Sequence, residues 1–241
     1  PIKVQQRSKD DAERQAIDLL DQMGIREQAH KFPAQLSGGQ QQRVAIARAL
    51  ALDPEVMLFD EPFASLDQNL RVQLREQVAQ VLDSTNTPAL FVTHDPREAL
   101  ALGDRIAVMR AGQIEQVGVP EEIYRQPSTM FVASFMDEAN FLSITKDGSG
   151  WSTVLGAVEQ SSEGDFVAMV RPSDVEFASD DSGDSKIQRC EYAGSHWLLQ
   201  VRLRTGDEVV ALAGPDSRPA VGDRGTLGLR PGARQVVVCQ S

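Results

Sequence analysis

A serine followed by two glycines stands directly before a stretch with helical hydrophobic periodicity, in the segment Leu36-Ser37-Gly38-Gly39-Gln40. A hydroxyl group and free backbone N–H groups at the positive end of a helix form an arrangement that binds phosphate. A serine N-cap with flexible glycines would give the same pattern without any ligand. The residues that follow this segment decide between the two interpretations.

Two adjacent carboxylates follow a short apolar run further along the chain. The run Val56–Phe59 predicts a fully buried parallel strand, and Asp60 and Glu61 come directly after it. Open α/β sheets bind ligands at the carboxyl ends of their strands, so the two acids are placed where catalysis is expected. One acid can hold a metal ion through water while the other positions or deprotonates a nucleophile. A solvated acidic loop is the alternative.

A histidine occupies the equivalent position after a second apolar run. Residues 89–93 predict another buried strand, and His94 follows it directly. Most isolated histidines have structural roles, but a histidine at this end of the sheet is a candidate for sensing phosphate. Between the two strands, the short segment Ala64-Ser65-Leu66-Asp67 stands before a long amphipathic helix.

The periodicity of the chain predicts an α/β domain with a parallel sheet, followed by a small β domain. Helices are predicted over residues 9–23, 38–51, 68–84, 96–102, 120–125 and 128–136, and strands over 56–59, 89–93, 105–109 and 113–117. Beyond residue 138, short β-like segments alternate with Gly, Asp, Ser and Pro, which is typical of a small barrel or sandwich. We therefore predict two domains, residues 1–137 and 138–241.

The composition excludes several classes of protein. The 241 residues are 41% hydrophobic and 24% charged, as in an ordinary globular protein. No apolar run approaches the roughly 18 residues of a membrane-spanning helix, and the first residues lack the pattern of a secretory signal. The net charge of −11 argues against nucleic acid as a partner. Cys190 and Cys239 form no disulfide framework and fit a reducing cytosol.

The order and spacing of these segments resemble the nucleotide-binding subunit of ATP-binding cassette (ABC) transporters over about residues 1–137. Leu36–Gln40 resembles the family's signature motif, and Val56–Asp60 resembles its Walker B strand, with Glu61 as the catalytic glutamate. Residues 64–67 resemble the D-loop, and His94 resembles the switch histidine.

The C-terminal part resembles the regulatory β-barrel domain of importer ATPases for sugars, sulfate, polyamines and ferric iron. The resemblance rests on residues 117–124, on Val132-Ala133-Ser134-Phe135, and on the strand Phe166–Val175 with its Val170-Arg171-Pro172-Ser173-Asp174 core. The triplet Asn140-Phe141-Leu142 is most similar to the ferric-iron members.

The resemblance implies a function for each site residue. Two subunits would enclose ATP, and Ser37 and Gly39 of one subunit would contact the γ-phosphate of ATP held by the other, with Gly38 and Gln40 in the same motif. Asp60 would bind Mg²⁺ through water, Glu61 would polarise the attacking water, and His94 would hold the γ-phosphate. Asp67 would link the two sites across the dimer.

The resemblance also implies ATP and Mg²⁺ as cofactors. A second ATPase subunit in a homodimer and transmembrane permease subunits would be the partners. The protein would be cytoplasmic and peripheral on the inner face of the cell membrane, where it would couple ATP hydrolysis to solute uptake, with ferric iron as a candidate solute.

One essential part of this machinery has no match in the sequence. The family needs a G-x-x-x-x-G-K-[ST] phosphate loop, and no lysine of this chain follows a glycine. We therefore expect the chain to represent the C-terminal part of a transporter ATPase and, by itself, neither to bind ATP tightly nor to hydrolyse it. We also expect exposed apolar surface on the sheet and association into an oligomer.

Two other functions remain open at this point. The chain could be a non-catalytic regulatory or dimerisation module whose β domain binds a ligand or a partner, with Trp151 and Trp197 as candidate contact residues. It could also be a soluble ABC ATPase that acts on nucleic acid or ribosomes, against which the acidic net charge and the importer-like C-terminal part argue.

Overall fold

The computed structural model describes residues 8–64, 66–147, 150–159 and 164–239. The chain forms two compact units, which we call the N-terminal unit (Pro1–Gly103) and the C-terminal unit (Asp104–Ser241). The domain division near residue 138 stays a prediction. Within the described residues, no helix is both long and apolar enough to cross a membrane.

The N-terminal unit alternates helices and strands, as the hydrophobic periodicity predicts. Its elements are α1 (Lys9–Gln22), α2 (Gly38–Leu50), β1 (Met57–Asp60), α3 (Gln68–Thr85), β2 (Ala89–Val92) and α4 (Pro96–Leu102). Strands β1 and β2 are parallel neighbours, and Asp60 lies opposite Val92 in their register. The helices bury their apolar stripes in one core, to which α3 contributes Leu74 and Val78. The predicted α/β class is confirmed.

The burial of β1 and β2 differs from the prediction. Met57 and Phe59 face the core, and the Phe59 ring stacks on Phe91 with 4.5 Å between centroids. The side chains that point the other way are open to solvent, with Leu58 exposed to 74% and Leu90 to 59%. The prediction of fully buried strands is therefore wrong, because this unit covers only one face of the sheet. The expected exposure of apolar sheet surface is confirmed.

The C-terminal unit begins with a hairpin and two short helices and continues as antiparallel β structure. Its elements are β3 (Ile106–Arg110), β4 (Gln113–Gly118), α5 (Pro120–Arg125), α6 (Met130–Met136), β5 (Asn140–Ser143), β6 (Thr145–Asp147), β7 (Gly150–Thr153), β8 (Gly156–Val158), β9 (Phe166–Val170), β10 (Val175–Ser179), β11 (Ser185–Tyr192), β12 (Trp197–Arg202), β13 (Glu208–Ala213), β14 (Arg224–Leu229) and β15 (Val236–Cys239). The described strands beyond β4 form sheets in the orders β10-β14-β11-β12-β13, β15-β9-β5 and β6-β7-β8. The predicted all-β region is confirmed.

Two buried polar side chains hold this unit together. The Asn140 amide donates to the Val210 carbonyl at 2.8 Å and accepts from the Val210 N–H at 2.7 Å, so it joins β5 to β13 as a strand partner would. Arg171 donates to the carbonyls of Ala133, Asp137, Glu138 and Tyr124. Burial lowers the pKa of the Arg171 guanidinium, and the Tyr124 ring lies under it at 4.5 Å. Arg171 therefore ties α5 and α6 to the β structure.

Candidate functional site

The ends of β1 and β2 bring the two predicted catalytic residues into contact. The Glu61 N–H donates to the Val92 carbonyl at 2.8 Å, which extends the parallel ladder beyond Asp60. Beyond this bond, Nδ1 of His94 lies 3.0 Å from Oε1 of Glu61. Both side chains remain accessible, with His94 exposed to 71% and Glu61 to 46%. A carboxylate and an imidazole in contact at the open end of a parallel sheet can orient a water molecule and exchange its proton.

The backbone at Glu61 has an unusual conformation. Its φ angle is +46°, in the left-handed region that non-glycine residues seldom occupy. This turn redirects the chain at the end of β1, so that the Glu61 side chain reaches toward His94. Such conformations cost about 1–3 kcal/mol and concentrate at functional sites. The functional role of Glu61 stays a prediction at this point.

Asp60 is the last residue of β1, and its side chain is exposed. Among the described residues, no group of three or more His, Cys, Asp or Glu side chains could hold a metal ion by itself. Mg²⁺ in phosphate-transfer sites is held by one or two carboxylates, with water and phosphate oxygens as the other ligands. A single exposed carboxylate beside Glu61 therefore fits Mg²⁺ bound together with a nucleotide.

The predicted phosphate-binding turn is the N-terminus of α2, and its side chains form a capping box. Ser37 Oγ accepts from the Gln40 N–H at 3.4 Å, and Gln40 Oε1 accepts from the Ser37 N–H at 3.0 Å. The Ser37 hydroxyl keeps its proton available for donation to a ligand. Gln40 therefore has a structural role in this turn, since its side chain satisfies a backbone donor at the helix end.

The two glycines of the turn have different surroundings. Gly38 is exposed, and a Cβ atom there would meet nothing within 4 Å, so a ligand can approach its backbone. Gly39 is buried, and a Cβ atom there would collide with the Leu70 side chain and lie 3.4 Å from Cδ2 of Leu66. Gly39 thus lets α2 pack closely against the start of α3.

Asp67 begins α3, where its carboxylate accepts from the Leu70 N–H at 3.0 Å. Ser65 of the same segment lies outside the described residues. Within α2, Arg43 is buried and donates to the Met23 carbonyl at 2.7 Å, which attaches α2 to the end of α1. Burial lowers the pKa of Arg43. Asp67 and Arg43 both fix the helices that carry the site.

A set of side chains behind His94 was missed from the sequence. A small cavity is lined by Glu61, Ala64, Arg71, Thr93, His94, Asp95 and Glu98. Arg71 comes from α3, and Glu98, from α4, is only 4% exposed. Glu98 could have been singled out from the sequence, because it is a charged residue on the core-facing side of a short apolar helix. No local pattern indicates that Arg71, on another helix, is its partner.

Two segments of the chain match known protein families, and most of the chain is similar to known proteins. Residues 2–64 match the family model described as ABC transporter, and residues 168–237 match the model of the TOBE domain. The chain is 45% identical over 210 residues to the Fe(3+) ions import ATP-binding protein FbpC 1 of Rhodococcus jostii (strain RHA1), covering 86% of this chain and 59% of that protein.

A second relative is named for a different solute. The chain is 38% identical over 224 residues to the sulfate/thiosulfate import ATP-binding protein CysA 1 of Rhizobium meliloti (strain 1021), which covers 90% of this chain and 65% of that protein. This chain thus spans about three fifths of the length of the curated relatives it matches. The two family matches and these relatives lead to one conclusion: the chain contains a segment of the ABC transporter family and a TOBE domain, and it is similar to ATP-binding proteins of importers.

Proposed function

We propose that this chain acts in the ATP-binding subunit of an ABC importer and couples ATP hydrolysis to solute uptake. The observation that carries the proposal is the 3.0 Å contact between Glu61 and His94 at the shared end of β1 and β2. Asp60, which precedes Glu61, supplies the carboxylate for Mg²⁺. In phosphoryl transfer, positioning and electrostatic stabilisation provide most of the rate, and the Glu61–His94 contact supports a role for these residues in both.

Each site residue has a role in this proposal. Glu61 orients and polarises the attacking water, and His94 holds both the γ-phosphate and, through its contact with Glu61, the orientation of that carboxylate. Mg²⁺, when bound near Asp60, neutralises charge on the phosphate oxygens. The exposed Ser37 hydroxyl and the open backbone at Gly38 donate to the γ-phosphate of ATP held by a second subunit.

The remaining motif residues hold the turn at the start of α2, which carries Ser37 and Gly38, in its conformation. The Gln40 side chain maintains the turn, Gly39 keeps α2 against α3, and Asp67 caps the helix that Gly39 contacts. The second subunit is a copy of the same protein in this proposal. Transmembrane permease subunits are the other partners, which would place the protein in the cytoplasm at the inner face of the membrane.

Ferric iron is the solute we propose, because the Rhodococcus jostii relative is named as an Fe(3+) importer protein and is 45% identical. Sulfate is the runner-up, since a relative named for sulfate and thiosulfate import is 38% identical. The likeness of the Asn140-Phe141-Leu142 triplet to the ferric-iron members stays a prediction, and in the structure the Asn140 side chain is hydrogen-bonded to Val210.

The test uses a chimera of two parts. Its N-terminal part is the segment of the Rhodococcus jostii relative that precedes the region similar to this chain, and its C-terminal part is this chain. We expect the chimera to hydrolyse ATP, and Glu61→Gln to lower kcat by about 10²-fold to 10⁴-fold with little change in KM. Glu55→Gln, which removes the same charge from an exposed position ahead of β1, is the control and should keep the rate.

Two outcomes would contradict the proposal. Equal rates for the Glu61→Gln and Glu55→Gln chimeras would remove Glu61 from catalysis. A chimera that folds and binds ATP but never hydrolyses it would favour the regulatory module instead. The chain by itself should show no turnover, and ATPase activity of the isolated chain that disappears in Glu61→Gln would disprove that expectation.

A further inference from the structure

We propose that Arg71 is a positioning residue that couples the segment before α3 to the loop that holds His94. The inference rests on the proposed function, because it concerns the same site. No motif of the sequence pointed to Arg71, which lies one helical turn after Asp67 and does not contact Glu61 or His94 through any hydrogen bond or ion pair of the described residues.

The Arg71 guanidinium connects two loops that are distant in sequence. One terminal nitrogen donates to the Leu66 carbonyl at 3.2 Å, and the other donates to Oδ2 of Asp95 at 3.2 Å. Leu66 belongs to the segment that precedes Asp67, and Asp95 follows His94. A planar guanidinium with several donors in a fixed geometry can hold two such acceptors at once.

The residues on both sides of His94 belong to the network around Arg71. Thr93 donates its hydroxyl proton to Oε2 of Glu98 at 2.5 Å, and the same Thr93 oxygen accepts from the Asp95 N–H at 3.0 Å. The other Asp95 oxygen accepts from the Arg97 N–H at 2.9 Å and so caps α4. The backbone on either side of His94 is therefore fixed while its ring remains exposed.

The charge balance of this network depends on Arg71. Glu98 is buried, and Nε of Arg71 lies 3.9 Å from its Oε1. A buried carboxylate is costly without a positive partner. At 3.9 Å this contact is an ion pair without a hydrogen bond, and Nε of Arg71 is a buried donor with no hydrogen-bond partner among the described residues. Arg71 is thus the positive partner of the buried Glu98 carboxylate.

The inference follows from these contacts together. Any displacement of the Leu66 carbonyl moves the guanidinium, and the guanidinium holds Asp95, whose neighbour His94 contacts Glu61 at 3.0 Å. Small errors of position at a reacting centre cost up to about 100-fold in rate. Arg71 therefore sets the orientation of the Glu61–His94 pair without touching substrate.

The first experiment uses the full chain without nucleotide. Its three histidines, His30, His94 and His196, give separate ring signals in a carbon–proton NMR spectrum, and His94→Gln assigns one of them. We expect Arg71→Gln to move the His94 signal and to leave those of His30 and His196 in place. Arg97→Gln, which removes the same charge from an exposed side chain on α4, should leave all three unchanged. An unmoved His94 signal in a folded Arg71→Gln chain overturns the proposal.

The second experiment measures kinetics in the chimera. We expect Arg71→Gln to lower kcat by about 10-fold to 100-fold with KM for ATP nearly unchanged, since the defect is in orientation. Arg71→Lys should melt close to the unsubstituted protein yet recover only part of kcat, because one ammonium group cannot span Leu66 and Asp95. A kcat that follows only the folded fraction in both variants would mean a purely structural ion pair and would overturn the proposal. If the unsubstituted chimera has no ATPase activity, the proposed function fails, and the NMR measurement alone decides the role of Arg71.

Discussion

Side chains of the predicted signature turn form contacts that stabilise the fold. Ser37 and Gln40 cap α2 reciprocally, and Asp67 caps α3, so their contacts in the structure are local backbone bonds. Glu61 and His94 differ, because neither satisfies a helix end and each contacts the other. This difference separates residues whose substitution should alter stability from residues whose substitution should alter catalysis alone.

The glycine pair gives a test at the residue scale. We expect Gly39→Ala to lower the free energy of unfolding by about 1–3 kcal/mol, because its Cβ atom collides with Leu70 in a packed contact. Gly38→Ala should raise it by about 0.5–1 kcal/mol, since the site is open and alanine favours the helix. Urea unfolding of both variants is the measurement. A Gly39→Ala chain as stable as Gly38→Ala would show that α2 and α3 do not pack this closely.

At the scale of elements, the sheet of the N-terminal unit has one covered face and one open face. Met57 and Phe59 are buried under the helices, whereas Leu58, Leu90 and Val92 are exposed on the opposite side. The periodicity of the sequence could not indicate this, since a continuous apolar run predicts burial on both faces. Contiguous exposed apolar surface favours association.

We expect the chain to form oligomers in which a second copy covers this face. The double variant Leu58→Thr and Leu90→Thr should shift the chain toward monomer, because it removes the apolar surface and introduces β-branched side chains, which favour strands. Sedimentation velocity over a range of concentrations is the measurement. Val221→Thr, a change at an equally exposed apolar residue outside the sheet, is the control. A strictly monomeric unsubstituted chain would contradict the expectation.

At the scale of the whole molecule, each compact unit has its own core and its own buried polar connections. In the C-terminal unit, Arg171 joins the carboxyl ends of α5 and α6 to the end of β9. The secondary structure changes from helix to strand near residue 138, between the end of α6 and the start of β5. The Arg171 contacts nevertheless attach those helices to the β structure that follows them.

Arg171 provides the test at this scale. We expect Arg171→Met to lower the stability of the C-terminal unit by about 2–4 kcal/mol, because it leaves several carbonyls without the charged donor that binds them. Arg189→Met, which removes an exposed arginine paired with Glu191, should change stability by less than about 0.5 kcal/mol. Thermal unfolding monitored by circular dichroism compares the two. Equal effects would mean that the Arg171 contacts contribute little.

The sequence by itself determined the order of the motifs and the bounds of the helices to within a few residues. It also determined that β1 and β2, the strands that precede Glu61 and His94, are parallel. These features depend on local periodicity and on residues a few positions apart, which a sequence displays directly. Asp60, Glu61 and His94 could be located in this way because strand ends of a parallel sheet converge.

Only the tertiary structure decided which residues distant in sequence contact one another. Arg71 and Asp95 are 24 positions apart, Arg171 and Ala133 are 38 apart, and Asn140 and Val210 are 70 apart. Contacts of this kind depend on how helices and strands pack in three dimensions, and no local spacing encodes them. The same is true of the collision that reserves position 39 for glycine, because it depends on how α2 packs against α3.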